Sequence, residues 1–165
     1  MKQQYRKKST RNIRLTTLVL IGLVTFVGST ATAHGTTKCM LAGIAGDWGF
    51  SDTGSVPGIG PRIAVGRFTL DSQGNVLNGT ATVNLNGAIS SETFSGTATL
   101  HADCTGSAKT DVFDLSGNKI ATIRAQAVFL DNMQEFREIW TSVVLANGKR
   151  LTTVITLEAK RLFPE

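Results

Sequence analysis

Hydrophobic and polar residues alternate along most of the chain after residue 46, in short runs that are separated by turn-forming residues. Alternation with a period of two is typical of a β-strand that has one apolar and one polar face. Eight such runs predict strands at 47–53, 62–70, 76–85, 89–100, 105–114, 119–130, 134–145 and 150–162. No apolar stripe of helical period and length follows residue 44, so the pattern predicts an all-β protein.

Short polar segments rich in Gly, Asn and Ser join the predicted strands. Two of them contain Asn-Gly, at 86–87 and 147–148, which is the strongest short signal for a β-hairpin because both residues tolerate positive φ. The first connection, 51–61, differs because it is long and rich in Gly and Pro. Eight strands with hairpin connections leave an up-and-down barrel or a two-sheet sandwich. The long last strands and the lack of a long crossover favour an eight-stranded antiparallel up-and-down β-barrel at 47–165.

One face of most predicted strands is apolar, as the wall of a barrel requires. The positions expected to point inward on strands two, three, four, six and eight are Ala64, Gly66, Phe68 and Leu70; Leu77, Gly79, Ala81, Val83 and Leu85; Phe94, Gly96, Ala98 and Leu100; Ala121, Ile123, Ala125, Ala127 and Phe129; and Leu151, Thr153, Ile155, Leu157 and Ala159. Small inward residues either leave a cavity or let the wall close around the Phe rings. We favour the cavity, because a barrel of this strand number can hold one small ligand. Its expected ligand contacts are Phe68, Phe94 and Phe129.

Strand seven has two possible orientations. One face carries Phe136, Glu138 and Trp140, and the other carries Ile139 and Val143. If the Trp140 face points inward, Trp140 joins the ligand contacts and Glu138 becomes a buried carboxylate. Such a group is costly unless it is paired or protonated, which would make Glu138 a candidate site residue. If Ile139 and Val143 point inward, Glu138 is solvated, and the sequence leaves both orientations open.

The positive charge of the chain is confined to its first part. The formal net charge is +5, but residues 1–33 contain six Lys or Arg and no acidic residue, whereas residues 34–165 contain 11 Lys or Arg and 12 Asp or Glu. The longer part therefore lacks the positive footprint that nucleic-acid binding requires. We expect no nucleic-acid partner.

Residues 1–33 have the three parts of a secretory signal peptide. A basic stretch precedes a 14-residue apolar core at 15–28, and small residues at Ala31 and Ala33 predict cleavage after Ala33. The core is shorter than the roughly 20 apolar residues of a membrane span, and no lipoprotein motif precedes the first cysteine. We therefore predict a secreted or periplasmic protein without a stable membrane anchor after cleavage, in which 34–46 is an N-terminal segment before the barrel.

The chain contains two cysteines, Cys39 and Cys104. An even count outside the cytoplasm indicates a disulfide. The connections of an up-and-down barrel alternate between its two ends, so Cys104, in the fourth connection, lies at the same end as Cys39, which precedes strand one. We predict that they are bonded and that the bond holds the N-terminal segment across that end. The 51–61 loop would then cover the opposite mouth, and a ligand would enter beside it.

The start of strand one, Gly46-Asp47-Trp48, resembles the G-x-W motif that opens the barrel of calycins, the superfamily of lipocalins, avidins and their relatives. In those proteins the Trp closes one end and a late Arg or Lys packs across it, and Lys160-Arg161 stands late in strand eight here. The resemblance covers about residues 41–162 and implies structural roles for Trp48 and Arg161, stacked as a cation–π pair. Allene oxide cyclase-like barrels and small periplasmic metalloprotease inhibitors are similar as well. The biotin-binding pattern of avidins is not present.

Common catalytic motifs are missing from the sequence. It has no P-loop, no G-x-S-x-G and no complete dinucleotide loop, and its two histidines, His34 and His101, are too few for a His-based metal site. We expect no metal and no cofactor. The first hypothesis is a barrel that binds a small apolar molecule. The alternatives are an allene oxide cyclase-like cyclase or isomerase, with Glu138 as its only candidate acid or base, and a protease-inhibitor-like module with a filled core; the oligomeric state stays open.

Overall fold

The computed structural model describes residues 38–163, and the predicted signal peptide at 1–33 lies outside them. A four-residue helix, α1 (Leu41–Ile44), precedes the strands. These are β1 (Gly46–Val56), β2 (Gly60–Leu70), β3 (Asn75–Leu85), β4 (Ala88–Leu100), β5 (Thr105–Phe113), β6 (Lys119–Leu130), β7 (Glu135–Leu145), β8 (Arg150–Leu151) and β9 (Val154–Arg161). Within this range no helix is both long enough and apolar enough to cross a membrane.

The sheet closes on itself. Every strand from β1 to β7 pairs antiparallel with the next one, and β9 pairs with both β7 and β1. The short β8 also pairs with β7, so that β8 and β9 together form the eighth wall element, interrupted at residues 152–153. The predicted eight-stranded up-and-down barrel is thereby confirmed, and the sandwich is excluded.

The first hairpin is tighter than the sequence predicts. β1 continues to Val56 and β2 begins at Gly60, so the connection is only residues 57–59. The Ile59 amide donates a hydrogen bond to the Val56 carbonyl at 2.9 Å. The prediction of a long loop at 51–61 is therefore wrong, while the ligand entrance at this end of the barrel stays a prediction.

A close strand contact explains the glycine that suggested a loop. Gly54 lies within β1, where a Cβ atom would overlap the carbonyl oxygen of Val154 in β9. Glycine is required there because two backbones approach closely, which is one of its ordinary uses inside strands. Gly54 therefore reflects the close approach of β1 and β9, and not a turn.

Two local irregularities change which side chains point inward. In β3, the register with β4 shifts between Val76 and Gly79, and Asn78 has a positive φ of 53°. A bulge of this kind reverses the alternation, so Val76 is buried while Leu77 is 41% exposed. The prediction that Leu77 points inward is wrong, whereas the inward positions from Gly79 onward stand as predicted.

The two orientations considered for strand seven both occur, in different halves of β7. Glu138 and Trp140 line the barrel interior, and Ile139 on the opposite face is 55% exposed. The register with β6 then shifts at Thr141, and beyond this extra residue Val143 is buried. Of the two orientations that the sequence leaves open, the Trp140 face points inward in the first half of β7, and Val143 points inward in the second half.

The indole of Trp48 closes one end of the barrel. It is fully buried, and its Nε1 donates a hydrogen bond to the carbonyl of Ile44 in α1 at 3.0 Å. The guanidinium carbon of Arg161 lies 5.5 Å from the centre of the Trp48 ring. Arg161 Nη2 also donates to the Gly43 carbonyl at 2.6 Å, so the last strand, the first strand and α1 meet at this point.

The main core lies in the half of the barrel next to Trp48. Its aromatic rings pack with centroid distances from 5.1 to 6.2 Å. The β6–β7 connection, Asp131–Met133, has positive φ at all three residues and places Met133 in this core. The buried members are Cys39, Ile44, Trp48, Phe68, Leu70, Val76, Phe129, Met133, Phe136, Leu157 and Ala159.

A disulfide joins Cys39 to Cys104, with their Cα atoms 5.1 Å apart. The predicted bond is confirmed. It ties the segment before α1 to the β4–β5 connection, at the end of the barrel that Trp48 closes. Such bonds persist in oxidising compartments.

Removing the indole should weaken the whole fold. We expect Trp48→Ala to lower the free energy of unfolding by about 3–5 kcal/mol, as large-to-small aromatic core substitutions do. Arg161→Ala should cost about 1 kcal/mol, because it removes the stacked cation but leaves the indole buried. Urea denaturation measures both values, and Ile139→Ala on the exposed face of β7 is the control. Equal, small losses in all three variants would contradict the role of Trp48.

Candidate functional site

A cavity lies inside the barrel, beside the main core. Its volume is about 90 Å³, several times the ~10–15 Å³ that one water molecule requires. Most of its wall is apolar, and six aromatic side chains contribute to it: Phe50, Phe68, Phe94, Phe129, Phe136 and Trp140. β4 borders the cavity, and none of its residues is buried.

Two glycines make room for the aromatic wall. A Cβ atom on Gly66 would overlap the ring of Phe50, and a Cβ atom on Gly79 would overlap the ring of Phe94. The rings therefore lie flat against neighbouring strands, where a side chain of any size would push them into the cavity. Alanines at positions 81, 98, 108 and 127 also line the wall. The sequence left open whether small inward residues create a cavity or let the wall close around the Phe rings. In the structure they do both.

An ion pair lies on the wall of this apolar space. Asp52 in β1 accepts a hydrogen bond from Arg62 in β2 at 3.2 Å, and their side chains are 1% and 11% exposed. Glu92 in β4 lies 3.9 Å from the same Arg62 nitrogen. The guanidinium carbon also lies 4.9 Å from the centre of the Trp140 ring. Arg62 is therefore surrounded by two carboxylates and one aromatic face.

Burial opposes ionisation of both carboxylates. Desolvation raises the pKa of Asp52, although the charge and hydrogen bond of Arg62 act against this rise. Desolvation also raises the pKa of Glu92, where Arg62 again opposes it and the nearby Asp52 adds to it. One guanidinium thus compensates the two carboxylates only in part.

Glu138 is the third carboxyl on this wall, and it has no ion-pair partner within residues 38–163. It lies on β7 opposite Leu157 of β9, and Asp52 of β1 lies opposite the same Leu157 from the other side. Desolvation raises the pKa of Glu138 to about 7, the negative charge of Asp52 contributes to the rise, and a hydrogen bond from Trp140 opposes it. A carboxyl with such a pKa can both accept and donate a proton at neutral pH.

The site holds no recognisable metal centre. Across residues 38–163, no group of three or more His, Cys, Asp or Glu side chains is placed to hold a metal ion. The three carboxyl groups instead face an apolar space and one arginine. The arrangement can bind a small molecule by apolar contact and orient it by a few polar contacts, as ligand cavities generally do.

The structure brings all five residues expected to contact a ligand onto this one cavity: Phe68, Phe94, Phe129, Glu138 and Trp140. Asp52, Arg62 and Glu92 are not predicted from the sequence, which offers Glu138 as the only candidate acid or base. A signal for all three was available. Each lies two residues from an inward apolar residue on its own strand, namely Phe50, Ala64 and Phe94, and therefore on the inward face.

Comparison with solved structures supports the fold. One similar structure is "EF1p2_mFAP2b bound to DFHBI", with a TM-score of 0.54 and 12% identity over 74% of this chain and 99% of that chain. Another is "a redesigned beta barrel, mFAP1, bound to DFHBI", with a TM-score of 0.49 and 17% identity over 73% of this chain and 97% of that chain. At 12% identity, the likeness to the first structure shows the barrel fold alone. No protein-family model matches the chain, and no curated protein matches it significantly.

The raised pKa of Glu138 predicts a pH-dependent stability difference. Because the folded pKa of about 7 exceeds the ordinary 4.5, the stabilising contribution of the protonated carboxyl is complete below pH 4.5 and is lost as the pH rises through 7. Glu138→Gln keeps an uncharged group at every pH. We expect this variant to be more stable than the wild type by on the order of 1–3 kcal/mol at pH 8, and equally stable at pH 4, in urea denaturation.

The matched control is Glu135→Gln on the same strand, where the carboxylate pairs with Lys160 at 2.7 Å on the surface. It should gain no stability at pH 8. If Glu138→Gln also gains none, Glu138 is solvated and does not belong to a desolvated cavity.

Proposed function

We propose that this chain is a secreted or periplasmic barrel that binds a small, mainly apolar molecule in its cavity. The observation that carries the proposal is the wall of six aromatic side chains around a space of about 90 Å³. Burial of apolar ligand surface against these rings would supply the affinity, at roughly 25 cal/mol per Å². A cavity of this size suits a molecule of about one ring.

Two features support the proposed location. Residues 1–33 have the layout of a secretory signal, and the Cys39–Cys104 disulfide is typical of an oxidising compartment. The mature protein would therefore meet its ligand outside the cytoplasm.

The structural neighbour with a TM-score of 0.54 is consistent with ligand binding. That barrel is bound to a small molecule, DFHBI, so a barrel of this size and strand arrangement can hold a ligand. The cavity also argues against the third hypothesis, a protease-inhibitor-like module with a filled core.

A cofactor-free isomerase or cyclase is the second candidate function, and Glu138 is the observation that favours it. Its carboxylate could take a proton from one carbon of a bound substrate and return it to another, with no net oxidation. Glu138→Gln tests this role directly. Loss of turnover with little change in substrate affinity would establish an enzyme, whereas unchanged turnover would leave Glu138 without a catalytic role.

Filling the cavity should abolish binding. Ala127 lines the cavity on β6, and Ala127→Phe would place a ring inside the cavity. We expect this variant to bind benzyl alcohol at least about tenfold more weakly than the wild type, because the ring occupies the ligand volume. Ligand-observed NMR or calorimetry measures the change.

The neighbouring Gln126 is exposed on the outer face of the same strand, which makes Gln126→Phe the matched control with unchanged binding. Native mass spectrometry of the mature protein from its host provides the complementary measurement, in which a co-purified small molecule supports the proposal. An empty protein in repeated preparations, together with no binding of apolar fragments, would refute it.

A further inference from the structure

We propose that the ligand of this cavity carries a positively charged nitrogen, so that the cavity selects small amines with an apolar body. This inference rests on the proposed binding function and narrows its ligand class. It starts from the charges on the wall, where the three carboxyl groups of Asp52, Glu92 and Glu138 line the same cavity as one cation, Arg62. A cationic ligand would supply the missing positive charge.

The existing cation is already engaged. Arg62 lies 3.2 Å from Asp52, 3.9 Å from Glu92 and 4.9 Å from the centre of the Trp140 ring. Its Nε has no hydrogen-bond partner within residues 38–163, but the two adjacent carboxylates oppose the approach of an anion to this nitrogen. An anionic ligand would therefore have to displace one of them.

Two acceptors remain for a donor from the ligand. Asp52 is 2% exposed, and no donor lies in hydrogen-bond geometry to its Oδ1 among the residues that the structure describes. The Ala64 backbone amide contributes to lowering the pKa of this carboxyl, so one side of the carboxylate already faces a backbone donor. Glu138 forms no ion pair in the same part of the chain. These two residues flank Leu157 from neighbouring strands on either side, so their Cα atoms are about 10 Å apart by ordinary strand spacing and their side chains converge inward.

An ammonium group matches these acceptors. It has three N–H donors and one positive charge, and hydrogen bonds between charged groups are among the strong ones inside proteins. The six aromatic side chains would receive the apolar body of the same ligand, and the faces of their rings also attract cations. A neutral alcohol of the same shape offers one donor and no charge.

Protonation of Glu138 should compete with binding of an amine. The charged groups that line the cavity with Glu138 are Asp52 from β1, Arg62 from β2 and Glu92 from β4, and the charge of Asp52 acts on the pKa of Glu138. The paired strands β6 and β9 present Ala127 and Leu157, which do not titrate. A bound cation favours the ionised carboxylate. Binding at neutral pH should therefore release protons, and amine affinity should rise with pH while the amine keeps its own charge.

The experiment compares three probes of one shape on the intact protein. Benzylammonium, benzyl alcohol and benzoate are titrated by calorimetry at pH 8 and pH 5. We expect benzylammonium to bind at least about tenfold more tightly than benzyl alcohol at pH 8, and benzoate most weakly. The preference for the amine should fall by about tenfold at pH 5, and titration near pH 7 in buffers of different ionisation enthalpy should show proton release.

Two variants test whether Glu138 is responsible for the preference for the amine. At pH 8, Glu138→Gln should lower the ratio of benzylammonium affinity to benzyl alcohol affinity by about tenfold. Glu135→Gln removes the same charge from the outer face of β7 and should change neither probe. The wild-type comparison of amine and alcohol does not depend on either variant, so the proposal stays testable if a variant folds poorly.

The outcomes separate this inference from the function on which it rests. If benzyl alcohol binds as tightly as benzylammonium, or benzoate binds best, the cavity is a ligand site but the amine preference is wrong. If no probe binds at either pH, the proposed function fails together with the inference. Tighter binding of the amine that Glu138→Gln leaves unchanged would place the amine elsewhere and overturn the inference.

Discussion

Burial of the Trp48 indole is the interaction on which the arrangement of the barrel depends. The indole donates a hydrogen bond to the Ile44 carbonyl, and the Arg161 guanidinium lies over its ring. Phe129 and Phe136 pack against it. It therefore holds α1, the first strand and the last strand together at the point where the sheet closes. The disulfide adds a covalent tie at the same end.

A closed wall of eight strands encloses more space than its inward side chains occupy. Gly66 and Gly79 let Phe50 and Phe94 lie against the wall, and alanines cover much of the remainder. The resulting space is apolar, so the carboxyl groups that face it are poorly solvated. Burial, with a contribution from the charge of Asp52, raises the pKa of Glu138, and a site with these properties is a typical place for ligand binding or acid–base chemistry.

Much of this architecture could be predicted from the sequence. Successive side chains of a strand point to opposite faces, so a strand with one buried face shows alternating apolar and polar residues. Alternation gave the eight wall elements, and topology placed Cys39 beside Cys104. The bulge in β3 was not predicted, although it lies at Asn78-Gly79, a dipeptide that tolerates positive φ. Within an otherwise regular alternation this signal is ambiguous, and the bulge turns Leu77 outward. The acidic wall was missed for a different reason. Asp52 and Arg62 lie at predicted strand ends, where charged side chains normally reach solvent, and only the closed barrel brings them to Glu138.

The central claim is that an incompletely compensated acidic wall borders a desolvated cavity. A carbon-detected NMR titration of the side-chain carboxyl groups, assigned with Glu138→Gln, tests it most directly. We predict that Glu138 in the free protein titrates near pH 7 and that its pKa falls when a cation occupies the cavity. A pKa near the ordinary 4.5 would show a solvated side chain and would contradict this claim.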